Sequence, residues 1–370
     1  MSGDWAARAG TVEDVIRRRF VRRLAGVVPG TRIGRVRWPR PLLIRPWPWH
    51  YWWQAHLLDC LVDAHRRSPQ PLRAVEIAAL ARTVRLRNVG SWTNDYYDDI
   101  AWFGLAVQRA GPLARRSTRP ALAAITARLR AGWTPAGGGG IWWRRGDNFK
   151  NAPANGPAAI LAARTGDLEF ATKITDWIAA TLVDPQTGLV RDGVRLNPDG
   201  TIRNLEATTY TYCQGVYLGA CVELAERDGH PRWAHRAARV LHAVATMAGP
   251  DKVIPGFDDG GDGGLFNGIL ARYLADTAVR RPELTALAAP LVLASADAAW
   301  QGRAELDDTD LDHPTGGGPV FAPDWRRPAR TPRPGVPEAD LSVQLSSWML
   351  LEAAARTAGA AAAPPPTDSA

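Results

Sequence analysis

Helical periodicity dominates this chain, and it argues against a fold built mainly of strands. Apolar residues recur at the spacing of amphipathic helices, whereas alternating runs of β-branched residues are scarce. These helices fall into sequential pairs with short connections inside each pair, the pattern of stacked α-hairpins. The predicted helices lie near residues 50–67, 71–87, 96–111, 118–132, 153–166, 167–183, 209–229, 231–248, 262–279, 283–303 and 340–358. Longer stretches rich in glycine and proline connect some of the pairs: 133–152, 184–208 and 304–338.

The two members of each pair differ in character. Second members such as PALAAITARLRAG are amphipathic and rich in alanine and arginine, which suits an outer layer. First members begin with polar or aromatic residues: HYWWQAH, NDYYDD, KNAPANGP, TYTYCQG, GGLFNG and DLSVQLSS. If the first members line the inside, their N-terminal ends meet at one mouth. The sequence therefore predicts a functional site at the N-terminal ends of the inner helices.

Asp98 and Asp99 are adjacent in SWTNDYYDDIAWFGLAVQRAG, where a polar and aromatic turn runs into an apolar helix. Helix capping is a common reason for aspartate in a first turn. However, two carboxylates this close resist joint ionisation, so one pKa rises relative to the other. Such a pair can supply the ionised carboxylate and the protonated acid of glycoside hydrolysis. For Asp95, helix capping is the preferred interpretation.

Sixteen tryptophans are many for a chain of this length, and some are candidates for stacking on a sugar ring. Trp142 and Trp143 follow four glycines, a flexible approach that is unlike a core strand. Trp102, four residues after Asp98, either faces the same mouth or packs in the core. A second cluster consists of Trp47, Trp49, Trp52 and Trp53, of which at least two are expected in the core.

Polar candidates for sugar binding lie at the predicted helix starts, where capping or local turn bonding is the alternative role. They are Asn94, Tyr97, Lys150, Asn151, Asn155, Tyr210, Tyr212 and Gln214. The stretch Asp258–Asp259–Gly–Gly–Asp262 has carboxylates that could bind calcium, but it lacks the full EF-hand pattern. We therefore predict neither a metal site nor a cofactor.

The composition limits the size of the fold and the cellular location that we expect for the protein. With 370 residues and 46% hydrophobic content, the chain can bury one large core. Cys60, Cys213 and Cys221 lack zinc-site spacing and are expected to be reduced core residues. The first residues carry charges throughout and contain no apolar signal-peptide stretch. We expect a cytoplasmic location, with membrane association or export by a non-standard route as the alternatives.

Positive charge is concentrated near the N-terminus. The net charge is +8, and eleven arginines fall in the first fifty residues, among them Arg17, Arg18, Arg19, Arg22 and Arg23. These arginines either form a solvated helix face or attract an anionic surface such as phospholipid headgroups. No nucleic-acid recognition motif accompanies them, so nucleic acid is not an expected partner.

Several blocks of the chain, in order, resemble glycoside hydrolase family 76, which contains bacterial endo-α-1,6-mannanases and related fungal wall proteins. The blocks are WWQAHLLDCLVDA, YYDD, GGIWW followed by KNAPANGP, TYTYCQG and DDGGDGGLFNGILARYLAD, and the likeness runs from about Trp49 to Arg356. The chain departs from the usual family pattern at four positions, Ile100, Ala101, Phe103 and Cys213. These departures bear on substrate preference rather than on the chemistry.

The resemblance implies an all-α fold, an (α/α)6 toroid with its active site at the N-terminal ends of the inner helices. It also implies a retaining double displacement with Asp98 as nucleophile and Asp99 as general acid/base. Eleven helices leave a six-pair ring one short. Residues 11–26 offer a twelfth helix, which either closes the ring or forms a separate basic arm. We divide the chain into a basic segment 1–45, a catalytic domain 46–360 and a disordered tail 361–370.

The expected function is hydrolysis of α-1,6-mannosidic linkages in mannan or mannolipid backbones, by endo-acting cleavage or oligosaccharide trimming. The expected partners are mannose-containing oligosaccharides, polysaccharides or glycolipids, bound by a monomer. One alternative is transglycosylation by the same fold onto a mannose-containing acceptor. A non-catalytic glycan-binding toroid is a weaker alternative, because such a protein would be expected to lose one of the two aspartates. A sugar epimerase would need catalytic histidines, and His50 and His56 alone do not make a convincing set.

Overall fold

The structure is a computed structural model that describes residues 4–39, 49–257, 259–307 and 316–362. In these ranges the chain forms eleven α-helices. They are α1 (Trp5–Phe20), α2 (Tyr51–Arg67), α3 (Pro71–Arg87), α4 (Tyr97–Ala131), α5 (Ala152–Arg164), α6 (Leu168–Thr181), α7 (Thr211–Arg227), α8 (Pro231–Ala248), α9 (Phe266–Arg280), α10 (Pro282–Gln301) and α11 (Leu341–Ala362). None of the described helices is long and apolar enough to cross a membrane.

Helix α4 consists of two arms, which correspond to the helices predicted at 96–111 and 118–132. Its backbone is non-helical at Ala114, and Pro112 and Pro120 lie on either side of this kink. Proline removes a backbone donor and clashes with the preceding turn, so a kink between two prolines is expected. With α4 counted as two arms, the described chain supplies twelve helical rods.

The rods form two concentric layers. The first arm of α4 is almost wholly buried, and it packs between α2 and α5 in the inner layer. The remaining inner helices are α7, α9 and α11, each packed against the next, and α11 returns to α2 to close the ring. The outer layer contains α1, α3, the second arm of α4, α6, α8 and α10. The predicted (α/α)6 toroid, with first members inside, is confirmed.

Helix α1 completes the outer layer. It packs against α11 and α2, and its buried face includes Val12, Ile16 and Phe20. Asp4 caps its start by accepting a hydrogen bond from the Ala7 amide. The helix therefore begins one to two turns before the predicted residue 11 and ends before residue 26. It closes the ring rather than extending as a separate arm.

Most of the short antiparallel strands occupy connections that we predicted without secondary structure, whereas β1 occupies the end of the helix predicted at residues 11–26. Strands β1 (Val21–Arg22) and β2 (Ile33–Gly34) pair after α1. Strands β3 (Phe149–Asn151), β4 (Gly193–Leu196) and β5 (Ile202–Glu206) form a three-stranded sheet in the order β3–β4–β5. Strands β6 (Ala304–Leu306) and β7 (Gly318–Val320) form a third pair. Because β3 runs directly into α5, the middle sheet lies at the mouth of the ring.

The ring interior contains a buried ion network as well as apolar side chains. Arg272 of α9 contacts Asp59 at 2.6 Å and Asp63 at 2.8 Å, both on α2. Arg109 of α4 pairs with the same two carboxylates. Breaking a buried pair by removing one partner typically costs about 3–5 kcal/mol, because a charge is left uncompensated. The network therefore fixes the relative positions of three inner helices.

Candidate active site

The paired aspartates occupy the first turn of α4, at the mouth of the ring. Both side chains are partly exposed, whereas Tyr97 and Ile100 beside them are buried. The Asp99 amide donates to Asp98 Oδ1 at 2.9 Å. This local bond turns the Asp98 carboxylate back over the helix start. Irregular backbone at a helix start lets two consecutive side chains approach one point, which mid-helix geometry does not allow.

The two carboxylates have different hydrogen-bond donors. Asp98 Oδ2 accepts from the Trp143 indole N–H at 2.9 Å, in addition to the amide bond at Oδ1. Asp99 Oδ2 accepts from the Asn94 side-chain amide at 2.6 Å. Asn94 is itself oriented by the Tyr96 amide, which donates to its Oδ1 at 2.9 Å. Donors stabilise the ionised form of a carboxylate, so the second donor favours ionisation of Asp98.

The pKa values of the pair are raised by burial and separated by their mutual repulsion. Burial raises the pKa of Asp98 to about 7, against the opposing effect of its two hydrogen bonds. Burial, and then the negative charge of Asp98, raise the pKa of Asp99 well above its ordinary value. Asp99 is therefore the member that keeps its proton when the pair carries one charge. The arrangement offers one ionised carboxylate beside one acid.

Asp262 is a third carboxylate at the mouth and was not among the predicted sugar-site residues. Its charge raises the pKa of both Asp98 and Asp99. Its Oδ1 accepts from the indoles of Trp52 at 3.0 Å and Trp53 at 2.9 Å. The sequence feature that could have identified Asp262 is its position in a glycine-rich run directly before an inner helix. For the carboxylates of that run the sequence suggested calcium and no sugar contact, although the run belongs to one of the blocks that resemble the family. Asp258, in the same run, lies outside the described residues.

An aromatic wall borders the carboxylates. Trp52 and Trp102 lie 6.4 Å apart between ring centroids, and Trp52 also approaches Phe266 at 6.5 Å. Tyr212 stacks on Phe266 at 3.9 Å, and Tyr210 contacts both rings. Such faces suit the apolar face of a pyranose, while the carboxylates and hydroxyls suit its polar rim.

His56 lies behind this wall. It is 3% exposed and contacts Trp52 and Trp102 at 5.6 and 4.9 Å. Neither ring nitrogen has a hydrogen-bond partner in the described part of the chain. Burial, together with the charge of Arg272, lowers the His56 pKa well below its ordinary value. His56 is therefore a neutral ring at the site.

The glycine-rich loop that begins at Gly137 positions Trp143 beside Asp98. Gly137–Gly140 all have positive φ, a conformation that glycine adopts without steric penalty. The backbone of Trp143 is fixed by two bonds: its amide donates to Phe149 O, and its carbonyl accepts from the Tyr97 amide, both at 2.8 Å. Trp142 is partly buried and packs over the Lys150 ammonium, which lies 4.5 Å from its ring centroid.

Lys150 holds this loop in place. Its side chain is fully buried, and its Nζ donates to the carbonyls of Thr134 at 3.0 Å and of Ala136 and Gly139 at 2.7 Å each. The Thr134 hydroxyl is a fourth acceptor, at 2.8 Å. Burial lowers the pKa of Lys150 to about 7, while four oxygen acceptors favour the ammonium form. The lysine links β3 to the loop that carries Trp143.

Five residues that we predicted to bind substrate instead support the site. Asn155 and Gln214 are fully buried, and their amides bond backbone groups of Ile141 and Val190. The Lys150 ammonium bonds the glycine-rich loop, and Asn151 caps α5 through the Ala154 amide. Tyr97 is buried and packs against Gly132. The sequence alone did not distinguish these backbone contacts from sugar contacts. The predicted residues that the structure brings to the mouth are Asn94, Trp102, Trp143, Tyr210 and Tyr212.

The tryptophan cluster at the start of α2 divides as follows. Trp53 is 1% exposed and Trp52 is partly buried in the aromatic wall. Trp49 is partly buried and lies 5.9 Å from Tyr51 between ring centroids. Trp47 lies outside the described residues.

Asp95 is exposed, and its carboxylate lies 3.7 Å from Arg145 and 3.9 Å from Arg128. The structure therefore does not use Asp95 as the helix cap that we predicted.

A toroid of paired helices, with adjacent carboxylates of unequal pKa beside an aromatic wall, has the equipment of a glycoside hydrolase of the all-α toroid class. The sequence model of glycosyl hydrolase family 76 matches residues 10–315, and the chain belongs to this family. No curated protein is similar enough in sequence to match it.

Solved structures agree in fold over almost the whole chain. The GH76A α-1,6-mannanase of Salegentibacter sp. HEL1_6 is 28% identical, with a TM-score of 0.81 over 95% of this chain and 99% of that one. A protein from Listeria innocua is 26% identical, with a TM-score of 0.79 over 95% of this chain and 97% of that one. Dfg5 from Chaetomium thermophilum is 19% identical with a TM-score of 0.72 over 97% of this chain and 90% of that one, a likeness of fold alone.

Proposed function

We propose that this glycoside hydrolase is a retaining, endo-acting α-1,6-mannanase. Asp98 is the nucleophile and Asp99 the general acid/base. The observation that carries the proposal is the unequal pair: Asp98 has two hydrogen-bond donors, whereas Asp99 has one donor and a pKa raised by burial and by the charge of Asp98. A double displacement requires this division of roles between two neighbouring carboxyl groups.

In the first step, the ionised Asp98 attacks the anomeric carbon while the Asp99 carboxyl gives its proton to the departing glycosidic oxygen. The C–O bond to the leaving sugar breaks, and a glycosyl ester forms on Asp98. In the second step, Asp99, now ionised, takes a proton from water as the water oxygen attacks the same carbon. Asp98 leaves as a carboxylate and Asp99 is protonated again. Two inversions give net retention.

The linkage and substrate class are inferred from similar proteins. The Salegentibacter enzyme is named an α-1,6-mannanase, and its structures include complexes with α-1,6-mannotriose and α-1,6-mannotetrose. Those complexes were obtained with inactive variants in which two consecutive aspartates were changed to asparagine or alanine. The adjacent pair in our chain is Asp98–Asp99, at the start of an inner helix. A mannose-containing glycan is therefore the substrate class that we assign.

Incubation with linear α-1,6-mannotetraose, followed by NMR of the products, tests the proposal. We expect shorter manno-oligosaccharides whose new reducing end first appears as the α-anomer. A β-anomer would overturn the retaining mechanism, and an intact substrate would overturn the linkage. Products longer than the substrate would identify transglycosylation instead. The matched control is Asp95→Asn, which changes an exposed aspartate of the same segment.

A further inference from the structure

Two loop tips beside the mouth each expose a valine, and each tip contains a non-glycine residue with positive φ. Val89 follows α3, has φ +53° and is 97% exposed. Val27, in the loop between β1 and β2, is 72% exposed and follows Ala25, which has φ +50°. A β-branched side chain with positive φ is unusual, because glycine or asparagine normally occupies such a position after a helix. Fold stability therefore does not account for an exposed valine at residue 89.

The two tips belong to one surface. The Arg82 guanidinium of α3 donates to Gly30 O at 2.7 Å, and the Arg32 amide donates to Thr83 Oγ1 at 2.9 Å. These bonds fasten the loop between β1 and β2 to the C-terminal half of α3. Leu86, 56% exposed, adds apolar area three residues before Val89. We call the surface formed by residues 22–32 and 82–90 the basic-apolar face.

The face adjoins the mouth. Strand β2 is bonded to the start of α2 through Gly34, whose amide donates to Gln54 Oε1 at 2.7 Å. At the other edge, residues 88–96 lead from α3 directly to Asp98 and Asp99. The basic-apolar face therefore lies on the side of the ring where substrate enters.

The charge of the face is strongly positive. An open groove of about 590 Å³ between α1 and α3 adjoins the face. It is lined by Arg22, Arg23 and Arg32 of the face and by Arg17 and Arg18 of α1, with Asp14 and Glu76 as its acidic residues. Glu76 is already paired with Arg17 at 2.7 Å. Within the described ranges, Arg22, Arg23, Arg82 and Arg85 form no ion pair with any carboxylate. The guanidiniums of Arg82 and Arg85 bond backbone carbonyls and leave their charge uncompensated.

We propose that the basic-apolar face docks the enzyme on an anionic phospholipid surface, with Val27 and Val89 inserted at the interface and the arginines on the headgroup phosphates. Exposed apolar tips beside uncompensated arginines combine the two attractions that hold a protein on such a surface. An acidic protein partner would account for the charge, but not for two exposed valines at the tips, one of them on a strained backbone. Docking turns the mouth toward glycans attached to the surface.

Co-sedimentation with vesicles tests the proposal on the full chain. We expect binding to vesicles of equal parts phosphatidylcholine and phosphatidylglycerol, and little binding to phosphatidylcholine alone. Each basic residue near an anionic surface is worth about 1 kcal/mol, which is about a fivefold change in partition. Arg23→Gln combined with Arg82→Gln should therefore weaken binding about twentyfold or more. Absence of binding by the unaltered protein would overturn the proposal.

The apolar contribution is tested by Val89→Asn. Asparagine tolerates positive φ, so this variant should fold with an unchanged or higher Tm while binding the anionic vesicles at least about threefold more weakly. If Val89→Asn binds as well as the unaltered protein while the arginine variant does not, the face is a site for soluble polyanions and membrane docking is refuted.

Matched controls lie at the opposite end of the ring. Val279, 41% exposed near the end of α9, and Arg119, exposed near the kink of α4, supply one apolar and one basic position. Val279→Asn and Arg119→Gln should leave vesicle binding unchanged, and an equal loss in these variants would overturn the assignment of the face. All the variants should retain hydrolysis of free mannotetraose. Failure of that hydrolysis in the unaltered protein would count against the proposed activity and not against docking.

Discussion

The indole N–H of Trp143 donates to Asp98 Oδ2 at 2.9 Å, which joins the glycine-rich loop to the carboxylate pair. The loop therefore does more than present an aromatic face to a sugar. Its tryptophan is a donor that stabilises the ionised form of the proposed nucleophile. Trp142, its neighbour, packs on Lys150 and makes no such bond in the described structure.

Trp143→Phe should move the acidic limb of kcat/KM to higher pH. The ring is retained, but Asp98 loses one of two donors, so its pKa rises above about 7 and a smaller fraction is ionised in weak acid. A hydrogen bond to a charged group is worth about 1.5–3 kcal/mol, so activity on the acidic limb should fall about tenfold or more. A pH profile measures the shift. Trp142→Phe is the control, and an equal shift in that variant would contradict the assigned role of the indole N–H.

Asp98→Asn and Asp99→Asn should each lower kcat by at least about 10²–10⁴-fold. Both substitutions should also raise the Tm when it is measured at a pH above neutral. The folded-state pKa of each aspartic acid is raised, so the folded state binds more protons than the unfolded chain. For Asp98, stability therefore falls as pH rises from about 4 through about 7, and for Asp99 it falls in the same direction as pH rises above the ordinary pKa of an aspartic acid. Asparagine does not titrate, so the variant avoids this loss of folding free energy. We expect the difference to be about 1–2 kcal/mol near pH 8, after allowance for partial exposure. Melting curves at both ends of this range check the sign; a Tm that falls on substitution near pH 8 would contradict it.

The architecture was predictable because periodicity and the polar starts of alternate helices act over many residues. Asp98 and Asp99 could be singled out because the sequence blocks around them resemble the family; a pair of aspartates at a helix start is otherwise commonly explained by capping. Asp262 was missed because only the folded ring brings it to the pair and to the indoles of Trp52 and Trp53. Gln214 was misinterpreted because a buried amide bonded to backbone looks, in sequence, like a sugar ligand.

The short strands and the start of α1 also could not be predicted from the sequence. Strand β1 has two residues and β3 has three, too few for any alternation to show. Their pairing depends on loops that meet only when the helices have packed. Helix α1 begins at Trp5 because Asp4 caps it, and its apolar face is defined by α11 rather than by local periodicity alone.

Lys150→Met should destabilise the fold and disturb catalysis together. The substitution leaves the carbonyls of Thr134, Ala136 and Gly139 without their shared donor, and each unsatisfied buried group costs about 1–3 kcal/mol. We expect a loss of about 2–4 kcal/mol in the free energy of unfolding, after local relaxation. Denaturant unfolding measures it. Lys173→Met is the control, because Lys173 is exposed and lies over Trp133; an equal loss there would refute the special role of Lys150.

Asp262→Asn should move the acidic limb of kcat/KM in the direction opposite to Trp143→Phe. The negative charge of Asp262 raises the pKa of both Asp98 and Asp99, so its removal lowers both values. Asparagine keeps a side-chain oxygen to accept from Trp52 and Trp53, so the aromatic wall should hold its geometry. Asp98 is then ionised at lower pH, which moves the acidic limb to lower pH. Asp99 also loses its proton at lower pH, so the alkaline limb moves in the same direction. The whole profile should shift to lower pH, with both limbs moving in the same direction. If kcat/KM instead collapses at every pH with the limbs in place, Asp262 acts through direct contact with the sugar rather than through its charge on the pair.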